Sequence, residues 1–255
     1  MKAQQPSDQI EYWDSVWTKE GVRSFSPHTK IIEEAKWNYL RSFLREYSGY
    51  SLEVGCGSGY FSSLMAASGF DALLLDYSSS ALQCARNSYT SLEGREKKKY
   101  IQGNAFFLPF ADSKMNVVLS CGLLEHFENP FIPIKEMVRV LRPGGLFYAD
   151  VCPQKFKLID VFSFLHAKKP GWYEASITKS QLKSVLLKAG LRDINIFSAG
   201  VLSPRDIPGT GRIKYFKNVE KRFLEAFKGF WLSLDGTRLA DLVGLYYFAV
   251  AKKPF

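Results

Sequence analysis

The chain has little of what marks several large classes of protein. Its four cysteines, Cys56, Cys84, Cys121 and Cys152, are far apart and none is paired as C-x-x-C. That excludes the usual zinc-ribbon and redox-dithiol spacings and leaves reduced, mostly buried thiols as the plain reading. No apolar run approaches the length needed to cross a bilayer. The first residues, "MKAQQPSDQIEYWDSVW", lack the basic start and apolar stretch of a secretory signal, so a cytoplasmic location is expected. There is no internal repeat and no low-complexity linker, which leaves one α/β domain over residues 1–255 with insertions.

What is present suits a full core: 255 residues, 46% hydrophobic and 15% aromatic. The net charge of +9 hints at polyanions or an anionic membrane surface, because a positive field raises the local concentration of such partners. The charge is concentrated in "REKKK" at 95–99 and between Arg212 and Lys228, where six basic residues face two acidic ones. A solvated face explains both runs.

Apolar periodicity alternates between two kinds along the chain. In "HTKIIEEAKWNYLRSFLREYS" Ile32, Ala35, Tyr39, Phe43 and Tyr47 fall on one helical stripe. Short apolar runs follow at "YSLEV", "DALLLD", "KYIQG", "MNVVLSC" and "GLFYADV", separated by helical patterns or loops, the pattern of parallel strands buried on both faces. "TKSQLKSVLLKAG" opens with Thr178 and Gln181 spaced as a capping box and closes on Gly190, where a left-handed cap residue belongs. "LRDINIF" and "LVGLYYFAVAKK" are two further strands.

The most informative stretch is "SLEVGCGSGYFSSLMAASGFDALLLDYS", residues 51–78. It reads as a strand, a turn with Gly55, Gly57 and Gly59, a helix ending at Gly69, and a second strand ending at Asp76. Glycines at a strand-to-helix crossover let backbone approach a ligand closely, and the helix beyond offers free N–H groups. An acid at the end of the adjacent strand can accept both hydroxyls of a ribose, so the expected ligand is an adenosine derivative. A dinucleotide turn prefers G-x-G-x-x-G; here position 60 is tyrosine, which argues against an NAD-dependent oxidoreductase.

With Glu53 before the glycines, "EVGCGSG" resembles the first motif of class I S-adenosylmethionine-dependent methyltransferases. "GNAFFLPFADSKMNVVLSCGLLEHFENP" and "KEMVRVLRPGGLFYADV" resemble the family's later strands, and the likeness covers most of residues 45–200. The resemblance implies a three-layer Rossmann-like α/β fold with a mostly parallel seven-stranded sheet of order 3-2-1-4-5-7-6, the last strand antiparallel, and helical lid insertions. It implies S-adenosyl-L-methionine as cofactor and S-adenosyl-L-homocysteine as product. By position, Glu53, Gly55 and Cys56 lie near the methionine end, Gly57 and Gly59 line the turn, and Asp76 holds the ribose. Tyr77 and Phe107 flank the adenine, Asn104 meets its exocyclic amine, and Ala105 meets a ring nitrogen through its N–H. Cys121 borders the cofactor from the fourth strand. The family often has aspartate where Asn104 stands, but an amide oxygen accepts the same bond.

A sulfonium methyl is already electrophilic, so the protein has chiefly to exclude water and align a nucleophile. His126, after the fourth strand, is the candidate catalytic base for an oxygen acceptor, although the family commonly carries "EH" there without using the histidine. For His28 and His166 a surface or structural role is the simpler reading. "SCGLLEH" is not the "NPPY"-like element of enzymes that methylate nitrogens of DNA and proteins. Thiolates at Cys56, Cys121 and Cys152 suit a metalloid, as in arsenite methyltransferases, but small residues at crowded strand ends explain them more simply, and no metal site is expected.

Residues 1–30 form an N-terminal lid segment, with Tyr12, Trp13 and Trp17 on a short helix over the cofactor. Residues 31–152 form the cofactor-binding core, 153–177 and 199–241 the substrate-side insertions, and 242–252 the last strand. Phe216, Val219, Phe223, Phe227 and Phe230 recur at helical steps between basic residues. Such a helix packs on the domain, forms the mouth for a lipid- or quinone-like substrate with peripheral membrane contact, or touches RNA. The expected activity is methyl transfer to a small-molecule acceptor. An RNA methyltransferase, without any appended RNA-binding module, and a cofactor-binding protein without catalysis are the alternatives.

Overall fold

The computed structural model describes residues 7–25, 27–151, 175, 177–199, 229, 233, 237 and 246–255. Nearly all of the two insertions, with Cys152, His166 and the helix expected from Phe216 to Phe230, lies outside the described residues, as do 242–245 of the expected last strand.

The apolar runs form seven strands: β1 (Tyr50–Val54), β2 (Asp71–Asp76), β3 (Lys98–Gln102), β4 (Met115–Cys121), β5 (Leu141–Val151), β6 (Arg192–Ala199) and β7 (Tyr246–Lys252). They join in one sheet of order β3-β2-β1-β4-β5-β7-β6. β1 to β5 pair in parallel, and β7 runs antiparallel to both β5 and β6. The order and the direction of the last strand are those expected. The register sets Cys121 of β4 opposite Asp150 of β5.

Both sheet faces are covered, which is why the strands read as continuous apolar runs. Leu52, Leu73, Val118, Phe147 and Ala249 point to one face, where Ile134 and Met137 of α5 (Phe131–Val140) and Leu182 and Leu186 of α6 (Lys179–Lys188) meet them. Leu74, Val117, Leu119, Tyr148 and Phe248 point to the other. There they meet Leu40 of α2 (Pro27–Phe43), Phe61 and Met65 of α3 (Tyr60–Ala67) and Leu82 and Ala85 of α4 (Ser79–Asn87). Thr178 and Gln181 cap α6 reciprocally, the Thr178 hydroxyl accepting the Gln181 N–H and the Gln181 amide oxygen accepting the Thr178 N–H.

Two local features depart from the pattern in sequence. The helix expected to run to Tyr47 ends at Phe43 and tightens into a 3-10 turn over Leu44–Glu46. Within the basic run, Lys98 is buried, its ammonium donating to the Ser63 hydroxyl at 3.2 Å, so only part of that run is a solvated face.

α1 (Ser7–Glu20) belongs to neither layer and lies against α4. Asp14 fixes it there: one carboxylate oxygen accepts the Ser78 hydroxyl at 2.7 Å and the Ser80 N–H at 3.3 Å. The Ser78 bond holds the Asp14 carboxyl below its ordinary value. Ser78 is also the N-cap of α4, accepting the Ala81 N–H, so the α1 anchor and the start of α4 share one residue.

Candidate active site

A cavity of about 360 Å³ opens where the carboxyl ends of β1, β2, β4 and β5 meet α1 and α2. Its floor is the β1–α3 turn, contributed by Gly55, Cys56, Gly57 and Ser58. The turn is pinned to β2, since the N–H groups of Gly55 and Cys56 both donate to the Leu75 carbonyl, at 2.8 and 3.0 Å. Gly57 has φ +48°, and a Cβ built there lies 2.6 Å from the Trp17 ring of α1. The bare backbone is therefore what lets α1 pack directly on the turn.

Asp76 ends β2 at the cavity edge. One carboxylate oxygen accepts the Gly57 N–H and the other the Ser78 N–H, each at 2.9 Å. Desolvation nevertheless pushes its carboxyl up to about 6. Glu53, next to last in β1, is buried beneath the turn, and one of its oxygens accepts both the N–H and the hydroxyl of Ser62. Burial pushes this carboxyl up to about 7, with Asp150 and Glu33 adding in the same direction. The thiols of Cys56 and Cys121 are driven up as well, first by burial and then by neighbouring carboxylates, so both stay protonated and neither is a ready nucleophile or metal ligand.

Gly103 and Ala105 form the side wall beyond β3. Arg139 of α5 fastens the loop behind them, donating to the carbonyls of Leu108 and Phe110 at 3.0 and 2.9 Å while it pairs with Glu136 and Asp112. At the far end the wall is polar. Lys36 of α2 donates to Glu33 and to Asp150, both at 3.1 Å, and lies 4.4 Å from the centre of the Tyr246 ring. Asp150 is fully buried and also accepts the Tyr148 hydroxyl at 3.3 Å.

Residues 52–149 match the family model of a methyltransferase domain. Over this stretch the chain is similar to the class I S-adenosylmethionine-dependent methyltransferase family, and its strand order is the one that resemblance implies. A relative in Mycolicibacterium smegmatis, described as a "Probable S-adenosylmethionine-dependent methyltransferase", is 34% identical over 96 residues, which are 38% of this chain and 35% of that protein. The chain thus spans little more than a third of the length of the curated relatives it matches first. Among solved structures, the [4+2]-cyclase SpnF aligns with a TM-score of 0.64 at 16% identity, covering 98% of this chain and 97% of that one. The Haemonchus contortus phosphoethanolamine N-methyltransferase 2, solved with S-adenosyl-L-methionine, aligns with a TM-score of 0.58 at 18% identity, covering 87% of this chain and 53% of that one. Both likenesses are of fold.

Of the site residues read from sequence, Glu53, Gly55, Cys56, Gly57, Asp76, Tyr77, Ala105, Cys121, Trp13 and His126 line the cavity. Gly59, Asn104, Phe107 and Tyr12 are not part of the wall that the described residues form. Gly59 is a packing glycine: with φ +70°, a Cβ there meets Leu74 at 2.7 Å and Ala85 at 3.0 Å. The Asn104 amide oxygen accepts the Phe106 N–H at 2.9 Å, closing its own loop. Phe107 stands 65% exposed, outside the wall. Tyr12 supports Trp13 edge-on, with ring centres 5.4 Å apart. His126 is buried behind Trp13, their ring centres 4.8 Å apart. Sequence reasoning missed Glu33, Lys36 and Asp150. Only Asp150 carried a signal, an acid near the end of an otherwise apolar strand.

Proposed function

We propose that this chain moves the methyl group of S-adenosyl-L-methionine to a small-molecule acceptor held in the same cavity, leaving S-adenosyl-L-homocysteine. The observation that carries the reading is the union, on one cavity wall, of the bare Gly55 to Gly57 turn, the Asp76 carboxylate tied to it, and Glu53 directly below. The donor set fits the cofactor, with the Asp76 carboxylate for ribose hydroxyls and Glu53 for an ammonium on either side of the turn, while the absence of a Cβ at Gly55 and Gly57 makes room for the Leu123 and Trp17 side chains that cover it. When bound, the cofactor supplies a sulfonium methyl that needs no protein nucleophile.

The residues of the chain then bind, orient and keep water out. Asp76 accepts the ribose hydroxyls. Tyr77, Gly103 and Ala105 receive the adenine, with Phe107 at the mouth. Glu53, Gly55 and Cys56 receive the methionine portion, whose ammonium suits an ionised Glu53, and Cys121 borders it from β4. Trp13 and Trp17 of α1 cover the turn and exclude water. His126, buried behind Trp13, is a less favourable general base than it reads in sequence, since Trp13 packs edge-on against it. No described helix is long and apolar enough to cross a membrane.

Isothermal titration with S-adenosylmethionine, S-adenosylhomocysteine and NAD in parallel tests this. Binding of the first two alone is expected, followed by transfer of labelled methyl to a small acceptor; binding of NAD alone refutes the reading. The likeness to a [4+2]-cyclase favours a second reading, in which the cavity serves a reaction other than methyl transfer. Cofactor binding without methyl transfer to any small acceptor would select it.

A further inference from the structure

The polar far wall of the cavity has no part in the cofactor reading above. Asp76 on β2 and Asp150 on β5 lie on opposite sides of the glycine turn, because the sheet runs β2-β1-β4-β5. A ligand anchored by its ribose at Asp76 and extending over Gly55 therefore points its other end at β4 and β5. What waits there is the Glu33, Lys36 and Asp150 triad, beside Cys121 and the Tyr246 ring.

From this arrangement we infer that the triad is the acceptor end of the cavity and that it selects an acceptor bearing a primary or secondary amine. The inference rests on the cofactor reading above. Two carboxylates share one ammonium, so the buried group carries a net negative charge. Lys36 and Asp150 are 5% and 0% exposed, which leaves water little part in offsetting that charge. A cationic or proton-donating ligand relieves it, an alcohol does so weakly, and a carboxylate or phosphate adds to it. The Tyr246 face, already next to the Lys36 ammonium, is a surface that favours positive charge.

The chemistry then closes without another reactant. The acceptor arrives as an ammonium and gives one proton to the Glu33 carboxylate, which burial and the neighbouring Asp150 already push toward protonation against the pull of Lys36. The freed nitrogen lone pair bonds to the methyl carbon while the carbon–sulfur pair stays on sulfur. The positive charge lost by the sulfonium reappears on the methylated nitrogen, where the remaining carboxylate faces it.

The test uses the whole chain saturated with S-adenosylhomocysteine and three sets of matched probes: 2-phenylethylamine, histamine and hexylamine, the corresponding alcohols, and the corresponding carboxylates. At least one amine is expected to bind tenfold or more tighter than its alcohol and its carboxylate. Glu33→Gln and Asp150→Asn are each expected to remove most of that preference while S-adenosylhomocysteine affinity stays within twofold. Glu33 lies on a surface helix, so Glu33→Gln carries the test if Asp150→Asn does not fold. Alcohols or carboxylates bound as well as every amine, no probe bound at all, or an amine preference untouched by Glu33→Gln overturns the inference. Failure of the wild-type chain to bind S-adenosylhomocysteine instead overturns the cofactor reading beneath it.

Discussion

Glu53→Gln separates the cost of the site from its use. In the folded chain the Glu53 carboxyl is pushed from an ordinary 4.5 to about 7, so between those pH values the folded state holds a proton that the unfolded chain has released. Stability therefore falls as pH rises through that window, and above it the ionised, buried carboxylate costs the fold about 3 kcal/mol, at roughly 1.4 kcal/mol per pKa unit. Glutamine keeps an oxygen for the Ser62 N–H but brings an NH2 group whose burial costs back about 1 kcal/mol or more. At pH 8 the variant is expected to be about 1–2 kcal/mol more stable than the parent, which at this chain length raises the melting temperature by about 2–4 °C per kcal/mol. At pH 5 the parent carboxyl is protonated, the penalty is gone, and the order reverses.

Denaturant melts of both proteins at pH 5, 6, 7 and 8 read the crossing directly. Groups that do not feel the Glu53 charge, Asp76 among them, are common to the pair and cancel in the difference. Calorimetry on the same samples supplies the other half: S-adenosylhomocysteine affinity at pH 8 is expected to fall about tenfold in the variant, about 1.4 kcal/mol, because the charge facing the ligand ammonium is gone. A variant that is less stable by the same amount at every pH would falsify the buried-charge argument. Unchanged ligand affinity would place Glu53 away from the methionine end.

Asp76→Ala is expected to weaken S-adenosylmethionine binding at least tenfold by calorimetry, since it removes the ribose acceptor and leaves the Gly57 and Ser78 N–H groups without their carboxylate; unchanged affinity would count against the cofactor reading. Gly57→Ala puts a Cβ against Trp17 in left-handed backbone, at about 1–2 kcal/mol, and is expected to lower cofactor affinity and change tryptophan fluorescence together. A spectrum identical to the parent's would mean that α1 does not close on the turn. Lys36→Met leaves two buried carboxylates without their cation and is expected to cost about 3–5 kcal/mol in denaturant melts. A loss under about 1 kcal/mol would show that the triad is open to water.

The sheet was legible in the sequence because each strand is a separate apolar run with its own boundary, and its order came with the resemblance carried by the glycine turn. The cofactor side of the cavity was equally legible: Glu53, Gly55, Gly57 and Asp76 come from one continuous stretch, so spacing along the chain translates into position in space. The acceptor side was not. Glu33 and Lys36 sit in "EEAKW", which reads as the solvated face of a helix, and the partner that buries Lys36 is 114 residues away. Nothing local distinguishes such a lysine from an exposed one. Gly59 shows the converse, a glycine read as part of the ligand turn whose bare face instead makes room for Leu74 and Ala85.

Glu53, Asp76 and Asp150 each occupy the last or next-to-last position of an otherwise apolar strand. That placement follows from the topology. The chain leaves β1 toward β2 and β3, then returns to the other side of β1 at β4, and a crevice opens at the carboxyl ends where the direction reverses. Acids at the carboxyl ends of paired strands are held rigidly yet line the crevice, so the sheet carries the burial cost that a loop could not. At Glu53 and Asp76, whose carboxyls burial pushes up, the stability of the fold and the charge of its cavity are therefore opposed, and neutral substitutions there that keep shape are expected to yield firmer, less active proteins. Glu53→Gln is the sharpest of these, because its gain in stability and its loss of ligand affinity come from the removal of one charge.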